Sequence, residues 1–545
     1  MSRRTLSALG AAAIGSAALC GSASAATITV ENRNDSGAGS LRQAIIEANE
    51  DSSVDTIEFA DDVRDRINVD HGQLQVDSRV RISGPGSGAL TVSGRNQNRV
   101  FRVTRSATAT IAGLTISDGS APSGSQGRVG DNAIGGGIDN AGTLTLRRVR
   151  VVDNLALGGP GDRLGGDAYG GGISNSGTLT LDGSAVQGNR SRGSGARLGG
   201  NGLGGGISNS GKLVLSDSTV SGNVASGGDG KGSIGIGGDA IAGGIRNAGA
   251  GSSTLTNSTV SGNVAAAGTG GSQIPFISLD GWAFGGGVLN GDVEVGERHR
   301  VVGGDRGSVS LTGVTLTGNQ VSSKTAAHAG NANMDGGATF QSSLVSAGGG
   351  DANCSRNQLS LGFNLDDGDS CGFAKPTDRT RTDPKLGPLQ DNGGPTRTHA
   401  LALSSPALDQ GSSPGLSGDQ RGFTRPVRFP DLPKPPGGDG SDIGAFEVQS
   451  RADAFPELVG TVTPQRAPVR THTCFRLTAE QRGGGAVSGV RVTLGGERKH
   501  TRPGGGAVIC KRFGRPGDRS ARFRKPGFAE DLATVRVTRR AGSGG

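Results

Sequence analysis

The sequence is poor in aromatic residues, in histidine and in long apolar runs. Aromatic residues make up 3% of the 545 residues, with one Trp and one Tyr, and there are six scattered histidines. No His-Glu-x-x-His motif, Cys-x-x-Cys motif or histidine pair at ligand spacing occurs, which argues against a metal site and predicts no cofactor. No stretch after the N-terminal segment has the roughly 18 apolar residues of a transmembrane helix.

Glycine is abundant, with 102 residues. Collagen is excluded because glycine does not fall at every third position. Short apolar runs recur throughout the glycine-rich region, and this pattern favours a folded protein over a disordered one.

The N-terminus has the pattern of an export signal. Arg3 and Arg4 precede a small-residue apolar stretch at 6–19, and Ala-Ser-Ala occupies 23–25. We therefore predict a signal peptide at 1–25, cleaved near Ala25, on either the general secretory or the twin-arginine route. The mature protein is then expected to be secreted or extracellular and associated with the cell surface.

Four cysteines remain after Cys20 is removed with the signal peptide. An even number in an exported chain predicts disulfides. Proximity in the sequence favours Cys354 with Cys371 and Cys474 with Cys510.

A phrase of the form Gly-Gly-Gly-Ile recurs five times at intervals of 35, 34, 38 and 43 residues. An asparagine always follows two residues after the aliphatic marker, and a second asparagine ends each repeat's last apolar run. The markers are Ile138, Ile173, Ile207, Ile245 and Val288; the first asparagines are Asn140, Asn175, Asn209, Asn247 and Asn290; the second are Asn154, Asn189, Asn223, Asn263 and Asn319.

Each repeat contains apolar residues at alternate positions, as in Leu179 and Leu181, which is the signature of a β-strand. Three such short strands per repeat, stacked on the next repeat, predict an all-β chain built as a parallel β-helix. Its marker residues would stack in the core, and its asparagines would form ladders at the turns.

The residues in excess of three strands always fall at the same place, at 155–168, 190–202, 224–240 and 264–283. Insertions at one point of a solenoid project from one face, so we predict loops there that contact a ligand. Four Asx residues lie six residues before the markers of successive repeats: Asn132, Asp167, Asn201 and Asp239. They form either a turn device or a weak cation or sugar site. Trp282 either stacks on a sugar or covers the last regular turn. The candidate contacts are Asp162, Arg163, Asp167, Arg190, Arg192, Arg197, Asp229, Lys231, Asp239 and Trp282.

The ends of the chain differ from the repeats. Residues 40–49 have the pattern of a short capping helix with Ser40 as its N-cap. We predict a β-helix over 26–450, with capped irregular turns at 26–125, regular repeats at 126–330 and C-terminal turns and a cap at 331–450. A linker at 451–465 and a small β-sandwich at 466–545 follow.

Two sets of motifs resemble a known family. GSLRQA at 39–44 and DTIEF at 55–59 look like the CSLREA motif, with Gly39 in place of its cysteine and Gln43 in place of its glutamate. TDPKLGPL at 382–389, DNGGPT at 391–396, DQRG at 419–422 and DIGAFE at 442–447 resemble the choice-of-anchor Q family. The repeats also resemble those of polymorphic outer-membrane proteins, and the C-terminal segment resembles immunoglobulin-like modules. The resemblance implies an exported bacterial protein, secreted or on the cell surface, with a right-handed, pectin-lyase-like β-helix and no activity to carry over.

The C-terminal region carries the positive charge. Residues 451–545 contain nineteen Lys and Arg against seven Asp and Glu, a net +12 in a chain whose total is +8. Such a domain either binds acidic polymers or is simply a basic soluble module, and the second interpretation is the simpler one. Aromatic residues are not interleaved with the basic ones, so we predict no nucleic-acid binding.

These features favour a non-catalytic, monomeric protein for surface attachment or adhesion, which contacts a polysaccharide or another surface polymer through the loops. A polysaccharide lyase or glycoside hydrolase is the alternative, and Asp153, Asp182 and Asp217 are the carboxylates to consider for it. A purely structural spacer is the third. Calcium has weak support, because a single Gly-Gly-x-Gly-x-Asp match stands at 437–442.

Overall fold

The computed structural model describes residues 25–50, 53–124, 127–271, 279–294, 300–302, 307–324, 333–347, 352–482, 485–525, 528 and 530–539. The predicted signal peptide lies outside these residues, apart from Ala25. The described part is nearly all β-structure, with one helix, and its main body is a stack of parallel strands. The predicted fold class is confirmed.

Three long parallel ladders form the β-helix. Ladder A has eleven strands: Thr27–Val30, Val54–Phe59, Arg79–Ser83, Thr108–Ala112, Thr143–Arg147, Thr178–Asp182, Lys212–Ser216, Ser252–Thr256, Ser308–Thr312, Thr339–Gln341 and Leu359–Ser360. Ladder B has ten: Asp65–Asn68, Leu90–Ser93, Thr115–Ser117, Arg150–Val152, Ala185–Gln187, Thr219–Ser221, Thr259–Ser261, Thr315–Thr317, Leu344–Ser346 and Leu365–Asp366. Ladder C has eight: Leu74–Val76, Phe101–Val103, Ile138–Asn140, Ile173–Asn175, Ile207–Asn209, Ile245–Asn247, Val288–Asn290 and Met334–Asp335.

The core lies between these three ladders, and the register places each repeat on the next. Ile173 pairs with Ile138 on one side and Ile207 on the other, and all three are fully buried. Leu179 and Leu181 of ladder A are also fully buried. Stacking identical aliphatic side chains therefore produces one continuous apolar core.

The middle turns contain five strands rather than the predicted three. Ladder D consists of Leu155–Leu157, Arg190–Arg192, Val224–Ser226, Val264–Ala266 and Gln320–Ser322, and ladder E of Ala133–Ile134, Ala168–Tyr169, Gly202–Leu203, Ala240–Ile241 and Ala283–Phe284. Alanines such as Ala225 and Ala240 are buried between the two ladders and form a second, narrow core. The segments predicted as projecting loops are thus folded into a body that we call the lateral lobe, defined as 155–168, 190–202, 224–240 and the described part of 264–283.

The predicted asparagine ladders are present and buried. Asn175 Nδ2 donates to Asn209 Oδ1 at 2.6 Å, and Asn209 Nδ2 donates to Asn247 Oδ1 at 2.7 Å. The second column behaves alike, with Asn189 Nδ2 donating to Asn223 Oδ1 at 2.9 Å. A side-chain amide can both donate and accept, so each of these asparagines donates a hydrogen bond to the asparagine of the next turn.

The ends of the β-helix are covered. The helix Leu41–Ala48 begins after Ser40, whose hydroxyl accepts from Gln43 N at 3.2 Å, and Leu41 and Ile45 face the core. This confirms the predicted cap. The Cys354–Cys371 disulfide, also predicted, closes the last turns.

The chain then folds back along ladder B as a segment that we call the clasp, residues 386–455. It begins with the hairpin of Leu386–Gln390 and Thr398–Leu401. Gln420 Nε2 donates to Thr219 Oγ1 at 2.8 Å, and Arg425 Nη1 donates to Asn257 Oδ1 at 3.0 Å. Arg425 also forms a fully buried ion pair with Glu447 at 2.8 Å. Most of the motifs that resemble the choice-of-anchor Q family therefore hold the clasp to the solenoid.

A β-sandwich follows, as predicted. Its first sheet contains Leu458–Thr463, His472–Gln481 and Gly506–Arg512, and its second contains, in order, Arg466–Pro468, Asp531–Thr538, Gly517–Arg524, Arg491–Leu494 and Glu497–His500. The predicted Cys474–Cys510 disulfide lies within the first sheet. The first strand starts inside 451–465, so that segment is part of the sandwich and not only a linker. The hairpin Asp292–Glu294 with Arg300–Val302 completes the described strands.

Replacing Asn209 by Ala should lower the free energy of unfolding by about 2–3 kcal/mol, because it removes the bonds to Asn175 and Asn247 inside the core. The urea midpoint of the far-ultraviolet circular dichroism signal measures this loss. Ser210→Ala, at an exposed neighbouring position, is the control and should change it by less than about 0.5 kcal/mol. Equal midpoints for the two variants would show that the ladder contributes no stability.

Candidate functional site

The lateral lobe consists of an outgoing and a returning arm in each turn, and the arms touch through glycine. Gly200 N donates to Ser194 O at 2.9 Å, and Gly238 N donates to Gly228 O at 2.8 Å. A Cβ built on Gly227 would lie 1.8 Å from Gly238 O. No other residue type fits such a close approach, so the glycines of the lobe are structural.

The four Asx residues in register form a ladder at the base of the returning arms. Asn201 N donates to Asp167 Oδ1 at 2.7 Å, Asp239 N donates to Asn201 Oδ1 at 2.7 Å, and Trp282 N donates to Asp239 Oδ1 at 2.8 Å. Asn132 Oδ1 accepts from Asp167 N in the same way. Of the two interpretations of this column, the geometry supports the turn device. It gives Asp167 and Asp239 a structural role, and their contact with a ligand stays a prediction.

Trp282 packs onto the lobe. Its ring is parallel to that of Phe284, with the centroids 6.0 Å apart and the planes 4° apart. It is partly buried against a cluster that contains Leu203 and Ile241. This placement agrees with the interpretation that Trp282 covers the last regular turn.

The outgoing arms present charges of both signs. Arg190 and Arg192 are exposed on ladder D, and Lys231 is exposed at the tip. Asp229 Oδ1 accepts from Thr269 N at 2.9 Å and Thr269 Oγ1 at 2.7 Å, and these hydrogen bonds lower the pKa of Asp229, with help from the charge of Arg192. Asp229 is thus tied to the next turn, while the basic side chains remain at the surface.

The returning arms stack three arginines. Leu164 N donates to Arg128 O at 3.0 Å, Leu198 N donates to Arg163 O at 2.8 Å, and Ile236 N donates to Arg197 O at 2.8 Å, so the three arginines occupy equivalent positions in successive turns. We call Arg128, Arg163 and Arg197 the arginine ladder.

The side chains of the arginine ladder are exposed. Within the described part of the chain none of them forms a hydrogen bond, or an ion pair within 4.0 Å, and Asp162, exposed beside Arg163, makes no such pair either. The neighbouring residues form an aliphatic row in which Val129, Leu164 and Ile236 are exposed and Leu198 is half-buried. Arg163, Arg197 and Asp162 were therefore placed correctly at the surface.

Arg128 was missed by the sequence analysis. It precedes the first Gly-Gly-Gly-Ile phrase and lies outside the four segments that were compared. The signal was present, because Arg-Val-Gly at 128–130 and Arg-Leu-Gly at 163–165 and 197–199 recur at 35 and 34 residues, the spacing of the markers. An alignment of the repeats that began before the first Gly-Gly-Gly-Ile phrase would have included Arg128.

The carboxylates considered for catalysis sit at corners of the β-helix. Asp153 and Asp217 have left-handed backbone, with φ of 55° and 53°, and Asp182 lies 3.6 Å from Arg147. Burial raises the pKa of Asp217 to about 6, and the nearby charges of Asp182 and Asp419 add to this. The clasp covers this corner, since Thr396 Oγ1 donates to Asp217 O at 3.0 Å.

Comparisons with family models and curated proteins identify no relative of this chain. No family model matches the chain, and no curated protein matches it either. Among the residues that the structure describes, no group of three or more His, Cys, Asp or Glu side chains is placed to hold a metal ion. The same residues include no helix of the length and apolarity needed to cross a membrane.

Gly227→Ala should displace one arm of the lobe, because the new Cβ would overlap Gly238 O. We expect faster proteolysis within 228–240 and a loss of about 2 kcal/mol or more, with the asparagine ladders intact. Limited proteolysis with mass spectrometry measures this. Gly88→Ala is the control, because a Cβ there meets nothing within 4 Å; equal cleavage in both variants would contradict the proposed contact.

Asp217→Asn should stabilise the protein at pH 7–8 and have little effect near pH 4. The folded state holds the proton up to about pH 6, whereas the unfolded chain releases it near 3.8, so the native carboxyl costs stability as the pH rises through this window. Partial exposure limits the gain to about 1 kcal/mol. Thermal unfolding from pH 4 to 8 measures it.

The control for this experiment is Asp153→Asn, which makes the same change at a left-handed corner outside the clasp. A difference between native and Asp217→Asn proteins that stays constant with pH would contradict the raised pKa of Asp217.

Proposed function

We propose that the protein is an exported, non-catalytic β-helix protein for surface attachment or adhesion, and that its arginine ladder contacts an acidic glycan. The observation that carries the proposal is the stacking of Arg128, Arg163 and Arg197, exposed and without a side-chain partner in the described chain. Guanidinium groups bind carboxylate and sulfate groups in a forked geometry, so a linear polyanion lying along the stack meets one guanidinium in each turn.

The proposed location has its own support. Disulfides persist in oxidising compartments, and the two bonds, Cys354–Cys371 and Cys474–Cys510, agree with an exported chain. The motifs that resemble the choice-of-anchor Q family, and the signal-like N-terminus, support membership of a surface or secreted β-helix family. We propose that the protein acts as a monomer.

A glycoside hydrolase or polysaccharide lyase is the second candidate. The observation in its favour is Asp217, whose raised pKa suits a general acid and whose neighbour Asp182 supplies a second carboxylate. The clasp over this corner favours a structural role instead.

The test compares binding of purified residues 26–545 to immobilised polygalacturonate, polyglycerol phosphate and neutral dextran. Replacing Arg128, Arg163 and Arg197 together by Gln should weaken binding to the acidic polymers at least about ten-fold, because three charged contacts are lost. Biolayer interferometry at low and at high salt measures the affinity, and high salt should weaken the native protein in the same way.

The matched control changes Arg79, Arg81 and Arg105 to Gln, which removes the same charge from exposed positions on other turns. Equal losses in both triple variants would mean that net charge and not the ladder is responsible. A labelled glycan that elutes at smaller size after incubation would identify an enzyme and overturn the non-catalytic assignment.

A further inference from the structure

The outer face of the five-stranded sheet of the sandwich places arginines side by side. Arg491 lies directly opposite Arg524 on one neighbouring strand and opposite His500 on the other. Two residues along, Thr493 separates Arg498 from Arg522. The alternate side chains of these strands point into the core, as Val492 and Phe523 do, so the basic ones share the solvent face.

This arrangement opposes folding, because like charges directly across a sheet repel. The sandwich neutralises one of them, since Arg524 Nε donates to Glu530 Oε2. The side chains of Arg491, Arg498 and Arg522 have no hydrogen bond or ion pair with any residue in the described ranges. Among the described residues, three guanidinium groups are thus left without a partner and can bind an external anion.

Two of the arginines on this face, Arg491 and Arg524, line a cleft of about 540 Å³ between the clasp and the sandwich. Its apolar wall is formed by Leu386, Pro388, Phe455 and Phe528, and its basic wall by Arg491, His500, Arg524 and Lys525. The Lys525 Nζ atom lies 5.5 Å from the centre of the Phe528 ring. The cleft has the size of a site for a small organic group.

A second depression of about 410 Å³ adjoins the cleft and shares Arg491 and Arg524 with it. It is lined by Arg498 and Arg522 as well, together with Gly495, Gly496 and two hydroxyl residues. The two hollows form one continuous path, apolar and basic at one end and purely polar and basic at the other.

We propose that this path is a binding site for an acidic oligosaccharide. The cleft holds one sugar ring, with its C–H face on Phe528 and its carboxylate on Arg491. The adjoining depression holds the carboxylates of the next sugars on Arg498 and Arg522.

The chemistry favours a charged sugar over other polyanions. Single-stranded nucleic acid needs aromatic platforms along its whole path, and the second depression has none among its lining residues. A polyphosphate would use the arginines and leave the apolar wall unused. The site lies on a different domain from the lateral lobe, so it does not depend on the function proposed for the arginine ladder.

The experiment is titration calorimetry of residues 26–545 with a galacturonate oligomer, at low salt. Arg491→Gln with Arg522→Gln should weaken binding about ten-fold or more, and Phe528→Ala should weaken it further. Arg466→Gln, an exposed arginine on the far edge strand of the same sheet, should leave the affinity unchanged. Each variant is also made with the Gln-substituted arginine ladder, so that the two sites are measured separately.

Four results would overturn the proposal: no binding, equal affinity for the methyl-esterified oligomer, equal affinity for polyphosphate, or tighter binding of an oligonucleotide. The thermal midpoint of the sandwich separates loss of folding from loss of binding. Removing a repulsive arginine should keep or raise it, whereas Phe528 packs on the sandwich core, so the arginine pair and not Phe528→Ala decides the test. Binding that the arginine-ladder variants abolish and the sandwich variants leave intact would also reject this site, while supporting the other.

Discussion

Every turn of the β-helix must place its backbone directly over the turn before it, in register. This parallel pairing spaces equivalent residues about 4.8 Å apart, so each side chain in one repeat meets the side chain at the equivalent position of the next. Few side chains tolerate that contact when they are buried. Aliphatic residues such as Ile173 pack onto themselves, and asparagines such as Asn209 donate to the next amide while accepting from the previous one.

The same constraint explains the unusual composition. The corners of the β-helix need left-handed backbone, which glycine adopts at no cost, as Gly170 does with a φ of 63°. The two arms of the lateral lobe approach each other backbone to backbone, where a Cβ on Gly193 would lie 1.9 Å from Gly200 O. Alanine fills the narrow space between ladders D and E. Glycine and alanine are thus abundant because closely packed backbones leave no room for larger side chains, and not because the chain is disordered.

The sequence allowed most of the fold to be predicted, because buried columns repeat their chemistry. The Ile and Asn columns followed from the spacing of the repeats, and the capping helix followed from its apolar face and the N-cap Ser40. Proximity in the sequence favoured both disulfide pairs. Ladders D and E could not be predicted in this way, because their strands have two or three residues and pair through glycine and alanine. Backbone pairing without an alternating side-chain pattern leaves no periodic signal.

The candidate site was predicted only in part, for a related reason. Asp167 and Asp239 looked like ligand contacts because Asx residues in register suit both a cation and a turn, and only the hydrogen bonds from the next turn separate the two. The arginine ladder is the reverse case: among the described residues its side chains form no hydrogen bond or ion pair, so only their equivalent positions in successive turns relate them. Arg163 and Arg197 fell inside the segments compared, and Arg128 fell before them.

Stacked charges have different consequences at the surface and in the core. The core columns hold uncharged side chains in register, because each buried charge would meet another at the repeat spacing. At the surface, water screens the repulsion, so a row of arginines costs little. The spacing of about 4.8 Å is shorter than the Debye length of about 8 Å at physiological salt, so neighbouring arginines act on a polymer as one line of charge. The β-helix therefore aligns one exposed arginine from each of three successive turns into a short row of positive charge, which scattered arginines on a globular surface would not form.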